Sequence, residues 1–140
     1  MPFGPLQLPP GGRHWFVKTL AVHGVEASRA VLGGFSQGAV MAYSVGLAPG
    51  RPSPAAIIAF SGYIPRVEGF DLALEGRAGV PVSVSHGSLD PTVAAAFERE
   101  ARVRLERAGL AVRYREDPSG HEITPGAPAQ ARAVIAEALA

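Results

Sequence analysis

Ser28–Leu47 reads SRAVLGGFSQGAVMAYSVGL, and the change of pattern at its centre decides the fold. Ser28–Phe35 ends in a compact apolar run with glycines and suits a buried parallel strand. Gln37–Leu47 is apolar nearly all round, as expected of a helix covered on several sides. Between the two stands Gly34-Phe35-Ser36-Gln37-Gly38, a G-x-S-x-G run at a strand-to-helix turn. On so tight a turn the serine backbone is strained, and glycine two residues to either side lets strand and helix approach without colliding Cβ atoms. The turn lifts the Ser36 hydroxyl into a cleft at the C-terminal end of the strand. It also sets the Gln37 backbone N–H at a helix start, where the dipole favours a developing oxyanion. A glycine-rich turn without chemistry is the plainer alternative.

Outward from this turn the alternation continues. Ala55–Phe60 (AAIIAF) reads as a second strand and Val80–Ser85 (VPVSVS) as a third. Thr92–Leu110 is the clearest helix, with apolar positions at Val93, Ala96, Phe97, Ala101, Val103 and Leu105 and with Gly109 near its end. Ala111–Arg115 alternates as a fourth strand, and Gln130–Leu139 closes the chain as a helix with Val134, Ile135, Ala138 and Leu139 on one face. Upstream, residues 1–14 hold four prolines and three glycines and read as an extended loop. Trp15–Val25 is compatible with a short helix stopped at Gly24. Strands alternating with helices predict an α/β fold, a mostly parallel sheet of about four strands flanked by helices. The 140 residues fit one domain, 1–140, or part of a larger one.

Composition removes several classes of function. Hydrophobic residues make up 47% and charged residues 18%, which supplies a core and argues against global disorder. Thirteen basic residues against 12 acidic leave no field to attract nucleic acid or anionic lipid. With no cysteine there is no disulfide framework, zinc ribbon or thiol nucleophile, so any nucleophile is oxygen or nitrogen. The first residues lack a signal-peptide pattern and no apolar stretch is long enough to span a bilayer, so a cytoplasmic protein is the default expectation.

A serine hydroxyl is a weak nucleophile at neutral pH and needs a base, which in turn needs an acid to fix its tautomer. Asp90 follows the third strand, in His86-Gly87-Ser88-Leu89-Asp90-Pro91, and His121 follows the fourth, in Ser119-Gly120-His121-Glu122-Ile123. Parallel strands bring all three loops to one sheet edge, in the chain order Ser, Asp, His. Asp90 before Pro91 also suits a helix cap, and His121 also suits a surface loop. His86 reads as a residue that shapes its loop through hydrogen bonds. His121-Glu122 begins like a zinc-protease motif, but Pro125 stands where the second histidine belongs, and no phosphate-cradling glycine pattern follows a strand. Metal and cofactor sites are therefore not expected.

GGFSQGA (33–39), SGYIP (61–65), HGSLDPTV (86–93) and SGHEI (119–123) resemble, in order, the motifs of the phospholipase/carboxylesterase family of α/β-hydrolases, which includes acyl-protein thioesterases. The resemblance implies Ser36 as nucleophile, Asp90 as acid, His121 as base and the Gln37 backbone N–H as one oxyanion donor. It sets Tyr63 and Ile64 beside the acyl groove, where they either contact substrate or belong to the core. It further implies hydrolysis of small carboxylic esters or acyl thioesters without a cofactor.

The front of the chain departs from that pattern. In the family the nucleophile strand comes fifth, after a strand whose following loop supplies a second oxyanion donor, whereas 35 residues precede Ser36 here. Neither His23-Gly24 nor Gly11-Gly12 has the context of that loop. The chain thus resembles the C-terminal two thirds of a hydrolase lacking the N-terminal strands. Loss of one oxyanion donor costs about 10²–10³ in turnover, and loss of neighbouring strands leaves the nucleophile strand as an open edge. Two expectations follow: a natural chain that extends upstream of Met1, or a homo-oligomer joined through that edge. A weak or inactive remnant acting as a binding or assembly partner is the alternative to an enzyme, and a lipase or peptidase on the same fold stays open.

Overall fold

Small and β-branched residues without polar alternation, as in Ala56–Phe60, belong in a sheet covered on both faces, and such strands form the centre of this molecule. The computed structural model describes residues 22–66 and 71–140. Over them the chain forms β1 (Val31–Phe35), α1 (Gln37–Gly46), β2 (Ala56–Phe60), β3 (Pro81–Gly87), α2 (Ala95–Arg107), β4 (Ala111–Asp117) and α3 (Gly126–Ala138), preceded by a 3-10 turn at Ala27–Arg29. The loop expected over 1–14 and most of the helix expected over Trp15–Val25 lie outside the described residues. The expected stop of that helix is described, with Gly24 at a φ of 70°.

The four strands are all parallel, in the order β1-β2-β3-β4, with Gly34 opposite Ala59, Phe60 opposite Ser85 and Gly87 opposite Asp117. Their C-terminal ends therefore share one edge of the sheet. On one face Ala39 and Tyr43 of α1, Leu47 just past its end and Leu105 of α2 pack with Ile57, Ala59, Val82 and Val84. On the other, Ala131 and Val134 of α3 pack with Ala56 and Ile58. Full burial of an aliphatic side chain contributes about 1.5–3 kcal/mol, so these two layers are what holds the strands in register.

Several boundaries differ from expectation. β3 and β4 each run two residues past Ser85 and Arg115, because His86 pairs with Glu116 and Gly87 with Asp117. His86 is thus a strand residue and not the first residue of a loop. α3 starts at Gly126 instead of Gln130; Pro128 lies in its first turn, where a missing N–H leaves no gap. α2 runs from Ala95 to Arg107, shorter than Thr92–Leu110, and its inward stripe is Ala95, Glu98, Ala101 and Leu105. Ala96, Phe97 and Val103 face solvent, Val103 being 45% exposed. The 3.6-residue period counted back from Leu105 selects position 98, and a carboxyl occupies it.

Candidate active site

Ser36 has φ 59° and ψ −118°, a conformation that costs an L-residue about 1–3 kcal/mol. The surroundings hold it there: its N–H donates to Phe60 O at 2.8 Å, and its carbonyl accepts from Ala39 N and Val40 N at 3.0 and 3.2 Å. Its backbone alone caps α1, leaving Oγ free to point elsewhere. A Cβ on Gly34 would lie 2.3 Å from the Gly38 carbonyl carbon, so strand and helix meet only because Gly34 has no side chain. The expectation of matched glycines holds for one side of the serine: a Cβ at Gly38 would meet open space. Gln37, exposed, opens α1, where the first backbone N–H groups have no intrahelical acceptor.

The loops after β3 and β4 are tied to each other. Ser88 N donates to Asp117 O at 2.8 Å and Leu89 N to Ser119 O at 3.0 Å. Asp117 anchors the second loop through its carboxylate, which accepts from Thr124 Oγ1 at 2.6 Å and from the Arg115 guanidinium at 2.7 and 2.8 Å. Asp90 and His121 are thereby brought side by side. His121 Nδ1 lies 2.7 Å from Asp90 Oδ2, and His121 Nε2 lies 3.0 Å from Ser36 Oγ. A carboxylate can only accept, so the ring proton sits on Nδ1 and the Nε2 lone pair faces the serine hydroxyl. Phe35 lies against the His121 ring with centroids 4.7 Å apart.

Asp90 also does what its place before Pro91 suggests: its Oδ1 accepts from Thr92 N and Val93 N, each at 2.8 Å. Burial works to raise its pKa, but the Val93 N–H, the His121 ring and the Thr92 N–H outweigh that and hold it below the ordinary carboxylate value. Capping and contact with His121 use different oxygens, so the two readings of Asp90 coexist. His86, buried, shapes the same loop: its Nε2 lies 2.7 Å from Val93 O, which requires the proton on Nε2, and 3.3 Å from Asp90 Oδ2.

Tyr63 and Ile64 answer to the core. Tyr63 is 1% exposed and packs with Val40 and Val93, the core position that was one of its two readings. Its burial follows from a position directly beneath α1. Ile64 is half-buried against the main core. Two residues escaped sequence reasoning. Asp117 ends a strand in an otherwise ordinary Glu-Asp-Pro run. Glu98 was legible in principle, being three residues from both Ala95 and Ala101 and seven from Leu105 on the stripe that packs inward.

Among the described residues no helix is long and apolar enough to cross a membrane. Residues 13–136 match the Phospholipase/Carboxylesterase family model. Esterase PE8 superposes with a TM-score of 0.79 at 33% identity, over 93% of this chain and 60% of its own. A phospholipase/carboxylesterase from Dyadobacter fermentans gives 0.76 at 25% identity, over 90% and 61%. A carboxylesterase from Bacillus cereus, at 24% identity and TM-score 0.76, covers 90% of this chain and 57% of its own and shares the fold. The chain thus spans about three fifths of the length of the structures it matches. Motif order, parallel sheet, strained serine turn and family match agree, and the chain belongs to the phospholipase/carboxylesterase family of α/β-hydrolases.

Proposed function

We propose that this site hydrolyses carboxylic esters or acyl thioesters through an acyl-enzyme on Ser36. The observation that carries the reading is the unbroken run of hydrogen bonds from Ser36 Oγ through the His121 ring to Asp90, 3.0 and 2.7 Å long, on a serine with positive φ. Ser36 Oγ adds to the acyl carbon while His121 Nε2 takes the hydroxyl proton. Negative charge gathers on the former carbonyl oxygen, and the Gln37 N–H at the start of α1 is placed to receive it. Asp90, held ionised, stabilises the imidazolium. Collapse breaks the acyl–oxygen or acyl–sulfur bond, His121 passes its proton to the leaving group, and water activated by the same ring releases the acid. The reaction needs no cofactor.

The proposed setting is the cytoplasm, and the proposed partner is a second copy of the chain, joined edge to edge at β1. Hydrolysis of p-nitrophenyl acetate and butyrate at about pH 8 tests the reading. The expected result is a burst of p-nitrophenol followed by slow turnover, both lost in Ser36→Ala. Equal rates for the parent and Ser36→Ala overturn it and favour a non-catalytic remnant.

A further inference from the structure

We propose that Glu98 is a positioning residue of this site: from α2 it holds Gly62 against the first turn of α1 and so fixes the turn that carries Ser36. The inference rests on the reading of Ser36 as nucleophile. Glu98 is 0% exposed. Its Oε1 accepts from Gly62 N at 3.3 Å, and its Oε2 lies within hydrogen-bond distance of the Tyr43 hydroxyl, at 3.2 Å. Tyr43 lies on α1, the helix that Ser36 begins, so one carboxyl spans α1, α2 and the segment after β2.

Gly62 touches the serine turn itself. A Cβ there would stand 2.5 Å from Ala39 Cβ and 3.4 Å from Ser36 O, the carbonyl that accepts the first N–H groups of α1. The segment arrives by a second constrained step, Ser61 at φ 54° with its N–H on Ser85 O at 2.8 Å. The strained serine is therefore backed by a strained support, and Glu98 is the side chain that clasps that support. A buried carboxyl in a helix is a costly way to fill core space, which suits a group retained for what it holds.

The titratable groups that face Glu98 are Tyr43 on α1 and Tyr114 on β4. Burial pushes the Glu98 carboxyl up to about 8, against the smaller opposing pull of the Tyr43 and Gly62 bonds. The clasp is thus a neutral acid at pH 7, its Oε1 accepting from Gly62 N–H and its Oε2–H donating to the Tyr43 oxygen. Ionisation above about pH 8 reverses the Tyr43 bond and puts a charge in the core that only the Tyr43 and Gly62 donors offset, which shifts the clasp on Gly62.

The test uses the full chain, Glu98→Gln and Glu98→Leu. The rate at which a fluorophosphonate modifies Ser36, forming the Oγ–P bond and releasing fluoride, is followed by intact mass between about pH 6 and 9.5. Melting curves and the amide signal of Gly62 are recorded on the same samples. Glutamine keeps both hydrogen bonds without titrating, so Glu98→Gln is expected to match the parent near neutrality and to lack the parent's loss of reactivity through pH 8. Glu98→Leu is expected to melt cooperatively and react about 10- to 100-fold more slowly. The Gly62 amide is expected to shift through pH 8 in the parent only.

Folded Glu98→Leu reacting at the parent rate overturns the proposal. So do superimposable pH profiles for the parent and Glu98→Gln, which decide the matter if the leucine variant fails to fold. A parent chain unmodified at Ser36 defeats the nucleophile reading by itself. In that case a Gly62 signal unmoved through pH 8 also removes the clasp, and a titrating signal retains it.

Discussion

The serine turn shows how one residue's strain is held by what its neighbours lack. Ser36 keeps a φ of 59° because Gly34 lets the backbone of α1 pass within contact distance. Alanine at position 34 has no flexible neighbour to displace, and the overlap is with backbone, so Gly34→Ala should cost at least about 3 kcal/mol and yield little soluble chain. Gly38→Ala meets open space inside a helix and should be neutral or raise Tm by about 3 °C. Thermal melts of the two variants check the contrast, and equal destabilisation would contradict it. The meeting of Ser36, Asp90 and His121 was legible from sequence because parallel strands bring the loops that follow them to one edge. The necessity of each glycine was not legible, since steric need depends on which backbone lies opposite.

At the scale of elements, α2 carries an acid where periodicity counts only apolar residues. Of the apolar positions read from the sequence, Ala101 and Leu105 face inward while Ala96, Phe97 and Val103 do not, because spacing and not hydrophobicity sets the stripe. The carboxyl leaves a trace in stability. With its ordinary value of 4.5 raised to about 8, Glu98 keeps its proton in the fold while the unfolded chain releases it. Its favourable contribution is thus complete below about 4.5 and is lost as pH rises towards 8. Asp90, shifted the other way, contributes above its ordinary value of 3.8 and loses that contribution in acid. The Tm of the parent should therefore fall from about pH 5 to pH 8, and Glu98→Gln should flatten that slope. Parallel curves for parent and variant would show that Glu98 is ionised throughout. The ends of β3 and β4 were misjudged by two residues because tertiary pairing sets them, and local propensity carries no information about it.

For the whole molecule, class and strand direction followed from the alternation of apolar runs with helices, and so did the gathering of three loops at one edge. The molecule's extent did not, because sheet width depends on segments outside the alternating units. Among the described residues β1 pairs with β2 alone, and Phe35 at its end is 39% exposed. If a second copy covers that edge, sedimentation equilibrium should show mass rising with concentration over about 1–100 µM; a monomer throughout that range sinks the idea. The order of the strands in space is also their order along the chain. During synthesis each new strand can dock beside the one just made, and the part bearing Ser36 is among the first described elements to form. His121 arrives only after β4, close to the last helix. On the reading of Ser36 as nucleophile, a ribosome-bound chain carries its serine for more than 80 residues without the imidazole 3.0 Å away, and the nascent serine stays chemically quiet until β4 and the loop after it have been made.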